Sequence, residues 1–359
     1  VQQTRSLVRG EVGEFGRLSA RVADKYEWET EEQRMAQFDL PVQELWRYRA
    51  TTQPPDGLSR FWDETVAAAR AAARPASAVR VDTPLRQVTT YDVTFTGFEG
   101  QPVRGWLNVP SGAPAPLPAV VEFIGYGGGR GLPWEWLLWA GAGYAHLVMD
   151  TRGQGGSWRG GDTPDPDPGG AGPSTPGFLT RGVLDPHRYY YRRLVTDAVR
   201  AVEAAAELPG LDSDRLAVVG TSQGGGLALA AASLVPERVA AVVAQVPFLC
   251  DVRRAVTLTD ADPYHELVRF CRIHPDRADA AMSTVDHVDM VHLVPRATAP
   301  ALFAAALHDQ ICPPSTVFAA YHAYAGPKEM EVYQWDGHEG GRAHFDGRAL
   351  AFVSATLGR

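Results

Sequence analysis

Leu216-Ala-Val-Val-Gly-Thr-Ser-Gln-Gly-Gly-Gly226 decides the reading of this 359-residue chain. The apolar run from Leu216 to Val219 has the character of a strand covered on both faces, and small residues suited to a closely packed helix follow from Gly225. Between them, Gly220-Thr221-Ser222-Gln223-Gly224 has the spacing of a nucleophile elbow. Such a turn is so tight that the residues two before and two after the serine must be very small, while the serine is held strained and exposed. The helix that follows brings its unpaired amides and the positive end of its dipole beside any negative charge that develops at Ser222. The five-residue pattern alone occurs by chance in many proteins; the strand before it and the helix after it make it specific.

The same grammar extends in both directions. Apolar runs without alternation recur at 119–124, 145–149, 239–246 and 301–307. Helical periodicity lies between them at 189–208, where Leu194, Ala198, Val199, Val202 and Ala205 share a face, and again at 225–234, 316–324 and 343–357. Strand alternating with helix predicts a mostly parallel, doubly wound α/β sheet. Upstream, 88–95 and 103–109 alternate around a turn at Gly97 to Gly100, which predicts an antiparallel hairpin opening the sheet. Residues 40–73 carry helical spacing broken by Pro54 and Pro55 and predict an N-terminal helical arm. Thr163-Pro-Asp-Pro-Asp-Pro-Gly-Gly-Ala-Gly-Pro-Ser-Thr-Pro176 fits neither helix nor strand and is expected to be a surface loop. Residues 248–298 form a helical insertion, expected to cap the crevice at the carboxyl ends of the strands. The expected organisation is an extension over 1–34, ahead of Met35, and a single domain over 35–359.

A serine hydroxyl is a weak nucleophile and needs a base, which needs an orienting acid; in this fold they follow in the order Ser, Asp or Glu, His. Of the ten histidines, His338 alone combines that order with a glycine-flanked loop, Tyr333-Gln-Trp-Asp-Gly-His338-Glu-Gly-Gly341, before the last helix. The acid should end the preceding strand, where Ala301 to His308 delivers Asp309; Asp336 competes for the role and reads as a turn former. His308 is the neighbour of Asp309 and should point to the opposite side of the strand end. The oxyanion of a tetrahedral intermediate needs two donors. The Gln223 amide supplies one, and the loop Gly125-Tyr126-Gly127-Gly128-Gly129-Arg130-Gly131 supplies the other, assigned to the Tyr126 amide. That loop is not a phosphate cradle, because no Gly-Lys-Ser/Thr follows.

Charge and cysteine count narrow the function further. The formal net charge is −8 with no Lys/Arg-dense stretch, so nucleic acid is not an expected partner. Cys250, Cys271 and Cys312 are too few and too scattered for a disulfide framework or a zinc site and read as thiols in a reducing compartment. No window reaches the roughly 20 apolar residues of a membrane span, and 1–34 carries no apolar core of a signal peptide, so a cytoplasmic location is expected. Neither a metal nor an organic cofactor is expected.

Together these motifs resemble the acetyl xylan esterase and cephalosporin C deacetylase family, the seventh family of carbohydrate esterases. The marks are Gly125-Tyr126 with Gly-Gly-Arg-Gly131, Arg152-Gly-Gln-Gly155, Gly220-Thr-Ser-Gln-Gly-Gly225, Asp309-Gln-Ile-Cys-Pro-Pro-Ser-Thr316 and His338-Glu339. The resemblance runs from about Leu40 to the C-terminus. It implies the α/β-hydrolase fold, Ser222, Asp309 and His338 as the catalytic residues, and an oxyanion hole from the Tyr126 and Gln223 amides. It also implies acetylated xylo-oligosaccharides and cephalosporins as substrates, and a homohexamer. Arg152 and Gln154 are read as structural, with Arg152 in an ion pair that positions loops near Asp150. Two positions depart from the family pattern: Thr221, where a second glycine is common, is expected to tighten the elbow, and Trp134, where a histidine is common, is expected to reshape the acyl or alcohol pocket. A serine peptidase or amidase of the same fold, and a non-catalytic binding protein built on it, are the alternatives.

Overall fold

The computed structural model describes residues 37–166 and 174–358; the expected extension over 1–34 lies outside them, as does the middle of the 163–176 loop. The chain divides after Phe38 into two units, and the second, from Asp39 onward, carries everything described below.

Among the described residues nine strands form one sheet: β1 Ser77–Val81, β2 Val88–Thr96, β3 Pro102–Pro110, β4 Leu117–Phe123, β5 Ala145–Met149, β6 Leu211–Thr221, β7 Ala241–Gln245, β8 Ala301–Ala306 and β9 Lys328–Tyr333. Their spatial order is β1-β2-β3-β5-β4-β6-β7-β8-β9. The first three strands join the sheet antiparallel, and the six from β5 to β9 in that order are parallel. The apolar runs follow from this burial: every residue of β5, β7 and β8 is buried, so no position is left for a polar side chain on an open face. The chain leaves β4 toward β5 and then returns across β4 to β6, so the winding reverses beside β4. A crevice opens at the carboxyl ends of strands at such a reversal, and both the Tyr126 loop and the Ser222 elbow begin there.

The expected hairpin is present, but it does not open the sheet. β1 pairs outside β2, and Ser77 to Arg80 are all exposed, so no hydrophobic alternation marks this edge strand in the sequence. The arm contains the helix Leu58–Ala71, docked by Trp62, whose buried indole N–H donates to the His287 carbonyl at 2.8 Å. Helix Tyr190–Glu207 packs along the sheet beside helix Gln223–Leu234, all of whose residues are buried. The insertion forms helices Val252–Leu258, Tyr264–Ile273, Ala278–Asp286 and Met290–Leu293 between β7 and β8. Among the described residues no helix is long and apolar enough to cross a membrane.

The start of the 163–176 loop runs along the surface, with Pro164 and Pro166 exposed, and turns alternate side chains inward. Thr163 and Asp165 are buried; the Thr163 hydroxyl oxygen accepts the Arg104 amide at 3.0 Å, and Asp165 takes both arms of Arg193 at 3.0 and 2.7 Å. Arg152 does position loops, through a partner the sequence did not indicate: its guanidinium forks onto Asp197 at 2.6 and 2.8 Å, both side chains fully buried. Asp150 instead accepts the backbone amides of Arg130, Thr151, Asp162 and Thr163 at 2.7–3.0 Å.

Glycine is required at the elbow for a geometric reason. A Cβ at Gly224 would drive into the Phe123 carbonyl, and one at Gly220 into the Gly224 backbone. Gly347, on the exposed side of helix Arg342–Leu357, has open space instead. Gly224→Ala is therefore expected to destabilise the fold by about 1–3 kcal/mol or more. Gly347→Ala should stabilise it by about 0.5–1 kcal/mol. Denaturant midpoints of the two variants check the pair, and equal midpoints would contradict the packing account.

Candidate active site

Ser222 sits at φ 57°, ψ −120°, the strained conformation the elbow demands, immediately before helix Gln223–Leu234. Its backbone is tied on both sides: its amide donates to Gln245 O at 2.9 Å, and its carbonyl accepts Gly226 N and Phe248 N at 3.0 and 2.9 Å. The strain is thus held by β7 and by the start of the insertion, not by the elbow alone. Thr221 turns its hydroxyl to Gln245 Oε1 at 2.6 Å, which fixes the residue before the serine.

Asp309 follows β8 and is fully buried. Its Oδ1 accepts the amides of Ile311 and Cys312 at 2.8 and 2.9 Å, and its Oδ2 lies 2.9 Å from His338 Nδ1. His338 stands on the loop between β9 and helix Arg342–Leu357. Asp336 serves the turn through its backbone, where its carbonyl accepts the His308 amide at 3.0 Å, while the His308 ring turns away to lie against Trp335. The hydroxyl of Ser222 makes no hydrogen bond to His338 among the described residues, yet both side chains line one cavity of about 320 Å³. Such contacts are commonly loose before substrate binds and tighten in the complex. The Cys312 thiol is buried beside them, and burial together with the Asp309 charge pushes it well above its ordinary pKa. Asp309, Cys312 and His338 offer ligand atoms within 4.8 Å of one another. Both Asp309 oxygens are already committed to His338 and two amides, an arrangement that orients an imidazole.

The cavity walls come from well-separated segments of the chain, among them Tyr126 after β4, Trp158, Pro263 of the insertion and Ile311 after β8. Trp158 is the wall that sequence reasoning missed. It lies 55% exposed, its indole N–H donating to the Tyr126 carbonyl at 2.8 Å, and its ring fills the space over Gly128 where a Cβ would stand. Trp134 does not line this cavity, so the expected reshaping of the pocket falls to Trp158. None of the insertion's histidines lines it either.

Among the described residues, the amides of Tyr126 and Gln223 donate to nothing, as an oxyanion hole requires. The two loops that carry them are joined by two side chains, Gln154 and Gln223. Gln154 Oε1 accepts the Gly127 amide at 2.6 Å, and Gln154 Nε2 donates to Gln223 Oε1 at 2.9 Å; Gln223 Nε2 in turn donates to the Ile124 carbonyl at 3.1 Å. Tyr190 and Tyr191 close this buried network with their hydroxyls. Gln154 is structural, as its sequence setting indicates, but the structure it holds is that of the site.

The acetyl xylan esterase family model matches residues 35–356. The acetyl xylan esterase of Paenibacillus sp. R4 is 36% identical, with a TM-score of 0.80 over 88% of this chain and 100% of that one. Acetyl xylan esterase 1 of Thermoanaerobacterium sp. is 31% identical, with a TM-score of 0.80 over 89% of this chain and 99% of that one. An acetyl esterase of Xylanibacter ruminicola is 31% identical over 162 residues, which are 45% of this chain; the match spans only about a third of that relative's own length, 36%. An acylaminoacyl peptidase of Pyrococcus horikoshii superposes at a TM-score of 0.55 with 16% identity, covering 76% of this chain and 42% of that one, a likeness that shows the α/β-hydrolase fold alone.

Proposed function

Because this chain belongs to the acetyl xylan esterase family of carboxylic ester hydrolases, we propose that it removes acetyl groups from small acetyl esters, with acetylated xylo-oligosaccharides as its main substrates and cephalosporin C as a secondary one. The reading rests on one observation above the rest: His338, held by the buried Asp309 at 2.9 Å, shares a wall with the strained Ser222. In this mechanism Ser222 attacks the ester carbonyl as His338 takes its proton on Nε2, while Asp309 keeps the other imidazole proton on Nδ1 and stabilises the imidazolium. The oxyanion receives the Tyr126 and Gln223 amides. Collapse of the intermediate expels the sugar alkoxide, which His338 protonates, and leaves acetyl-Ser222. Water, deprotonated by His338, then attacks the acyl carbon; the Ser222 Oγ–acyl bond breaks, His338 returns its proton to Oγ, and acetate leaves.

The ring of Trp158 supports a carbohydrate alcohol, since an exposed aromatic face at the cavity edge suits the C–H face of a sugar. The walls formed by Tyr126, Pro263 and Ile311 support a short acyl group. Initial rates on 4-nitrophenyl esters of two, four and eight carbons test this, with acetylated xylobiose, 7-aminocephalosporanic acid and a peptide anilide alongside. Acetate should lead octanoate in kcat/KM by at least about 10-fold, since even one methylene that the pocket does not fit costs on the order of 1–3 kcal/mol. Leading octanoate would sink the short-acyl reading, and a leading anilide would replace it by a peptidase.

A further inference from the structure

Tyr126 is held from the far side of the crevice. Its hydroxyl donates to Glu266 Oε1 at 2.6 Å and accepts the amides of Gly177 and Phe178 at 3.1 and 2.9 Å. Glu266 lies in helix Tyr264–Ile273 of the insertion, 140 residues away in sequence, and is only 6% exposed. Its Oε2 accepts the Leu179 amide at 3.1 Å. Among the described residues no arginine, lysine or histidine pairs with this carboxylate. Burial is the largest influence on it and pushes its pKa up, with the Tyr126 hydroxyl pulling the other way. A buried carboxylate without a cation costs stability, and a well-packed neutral side chain would join the helix to the loop at lower cost.

Glu266 reaches Tyr126 through one contact, the hydroxyl. The Tyr126 carbonyl is taken by Trp158 and the following amide by Gln154, which fixes the backbone on one side. The Tyr126 ring lies edge-on to Phe178 and Phe248, contacts that confine it but carry no direction along the hydroxyl axis. Direction comes from the hydroxyl's own partners, Glu266 and the Gly177 and Phe178 amides, and Glu266 also holds that second segment through the Leu179 amide. We propose that Glu266 is a positioning residue for the oxyanion hole: through the Tyr126 hydroxyl it sets where the Tyr126 N–H points, so the insertion helps to determine the rate of the chemical step. This inference rests on the reading that Tyr126 donates to the oxyanion.

The test compares wild type with Glu266→Ala, Glu266→Gln, Tyr126→Phe and the double variant Glu266→Ala/Tyr126→Phe. It reads kcat and KM on 4-nitrophenyl acetate, Ki for an alkyl trifluoromethyl ketone that forms a tetrahedral adduct with a serine, and the melting temperature. Glu266→Ala should lower kcat by about 10- to 100-fold, the cost of a misplaced group near the reacting atoms, with KM nearly unchanged and Ki raised by the same factor. Glu266→Gln, whose amide oxygen still accepts the Tyr126 hydroxyl, should recover most of the rate and of the ketone affinity. Tyr126→Phe should reproduce the loss, and the double variant should add nothing to it. The proposal is overturned if Glu266→Ala keeps kcat and Ki, if Ki stays put while kcat falls, or if Glu266→Gln is as slow as Glu266→Ala. Should Glu266→Ala fail to fold, the glutamine variant and Tyr126→Phe decide alone. Ser222→Ala, assayed beside them, separates the two failures: an active Ser222→Ala removes the site reading itself, whereas a silent one with unimpaired Glu266 variants removes only this inference.

Discussion

Ser222→Ala is expected to lower kcat on 4-nitrophenyl acetate by about 10⁴- to 10⁶-fold while leaving the melting temperature within a few degrees of wild type. The rate falls because, among the described residues, no other hydroxyl is presented to the cavity on a strained backbone with a helix N-terminus behind it; the Thr221 hydroxyl is spent on Gln245. The fold survives because the ties that hold the elbow are made by the Ser222 backbone, its amide to Gln245 and its carbonyl to Gly226 and Phe248. Mass spectrometry after an organophosphate supplies the second reading, a single adduct on wild type and none on the variant. Retained turnover, or an adduct elsewhere, would move the nucleophile.

Asp309→Asn is expected to cost about 10⁴-fold in kcat with little change in KM. The size follows from which oxygen does what. The amides of Ile311 and Cys312 both point at Oδ1, so an asparagine will place its carbonyl oxygen there and turn its NH₂ toward His338 Nδ1. The imidazole must then accept at Nδ1 and carry its proton on Nε2, the tautomer that cannot take a proton from Ser222. Asp336→Asn, by contrast, should leave kcat within about threefold, since that residue contributes its backbone carbonyl to the turn. If the two variants slowed the enzyme equally, the acid would have been misassigned.

The sequence carries this site well where local chemistry is decisive. Gly220 and Gly224 are legible because a tight strand-to-helix turn admits no Cβ, and Asp309 and His338 because strand ends and chain order leave few positions for them. The unbroken apolar runs indicate the sheet for a similar reason: strands with both faces covered cannot conceal their composition. What escapes is whatever depends on distant partners. Nothing about Arg152 shows that its counter-charge is Asp197, on a helix that arrives forty-five residues later. Trp158 enters the pocket only because the segment after Arg152 folds back under the Tyr126 loop. The edge strand β1 is hidden because exposed residues carry no periodic signal. Glu266 reads as one more polar residue on an amphipathic helix until the insertion folds over the crevice.

The side-chain strut at Gln154 bears on design. Anyone transplanting this reaction centre into another parallel sheet would naturally copy the elbow and the glycine-rich loop, the two segments that face the substrate. That graft would arrive without its cross-brace: the Gly127 amide and the Gln223 side chain would each lose a buried partner, and only the Gln223 bond to the Ile124 carbonyl would still join the two loops. The smallest portable unit has three segments, and the third, Arg152-Gly-Gln-Gly155, never meets the ester.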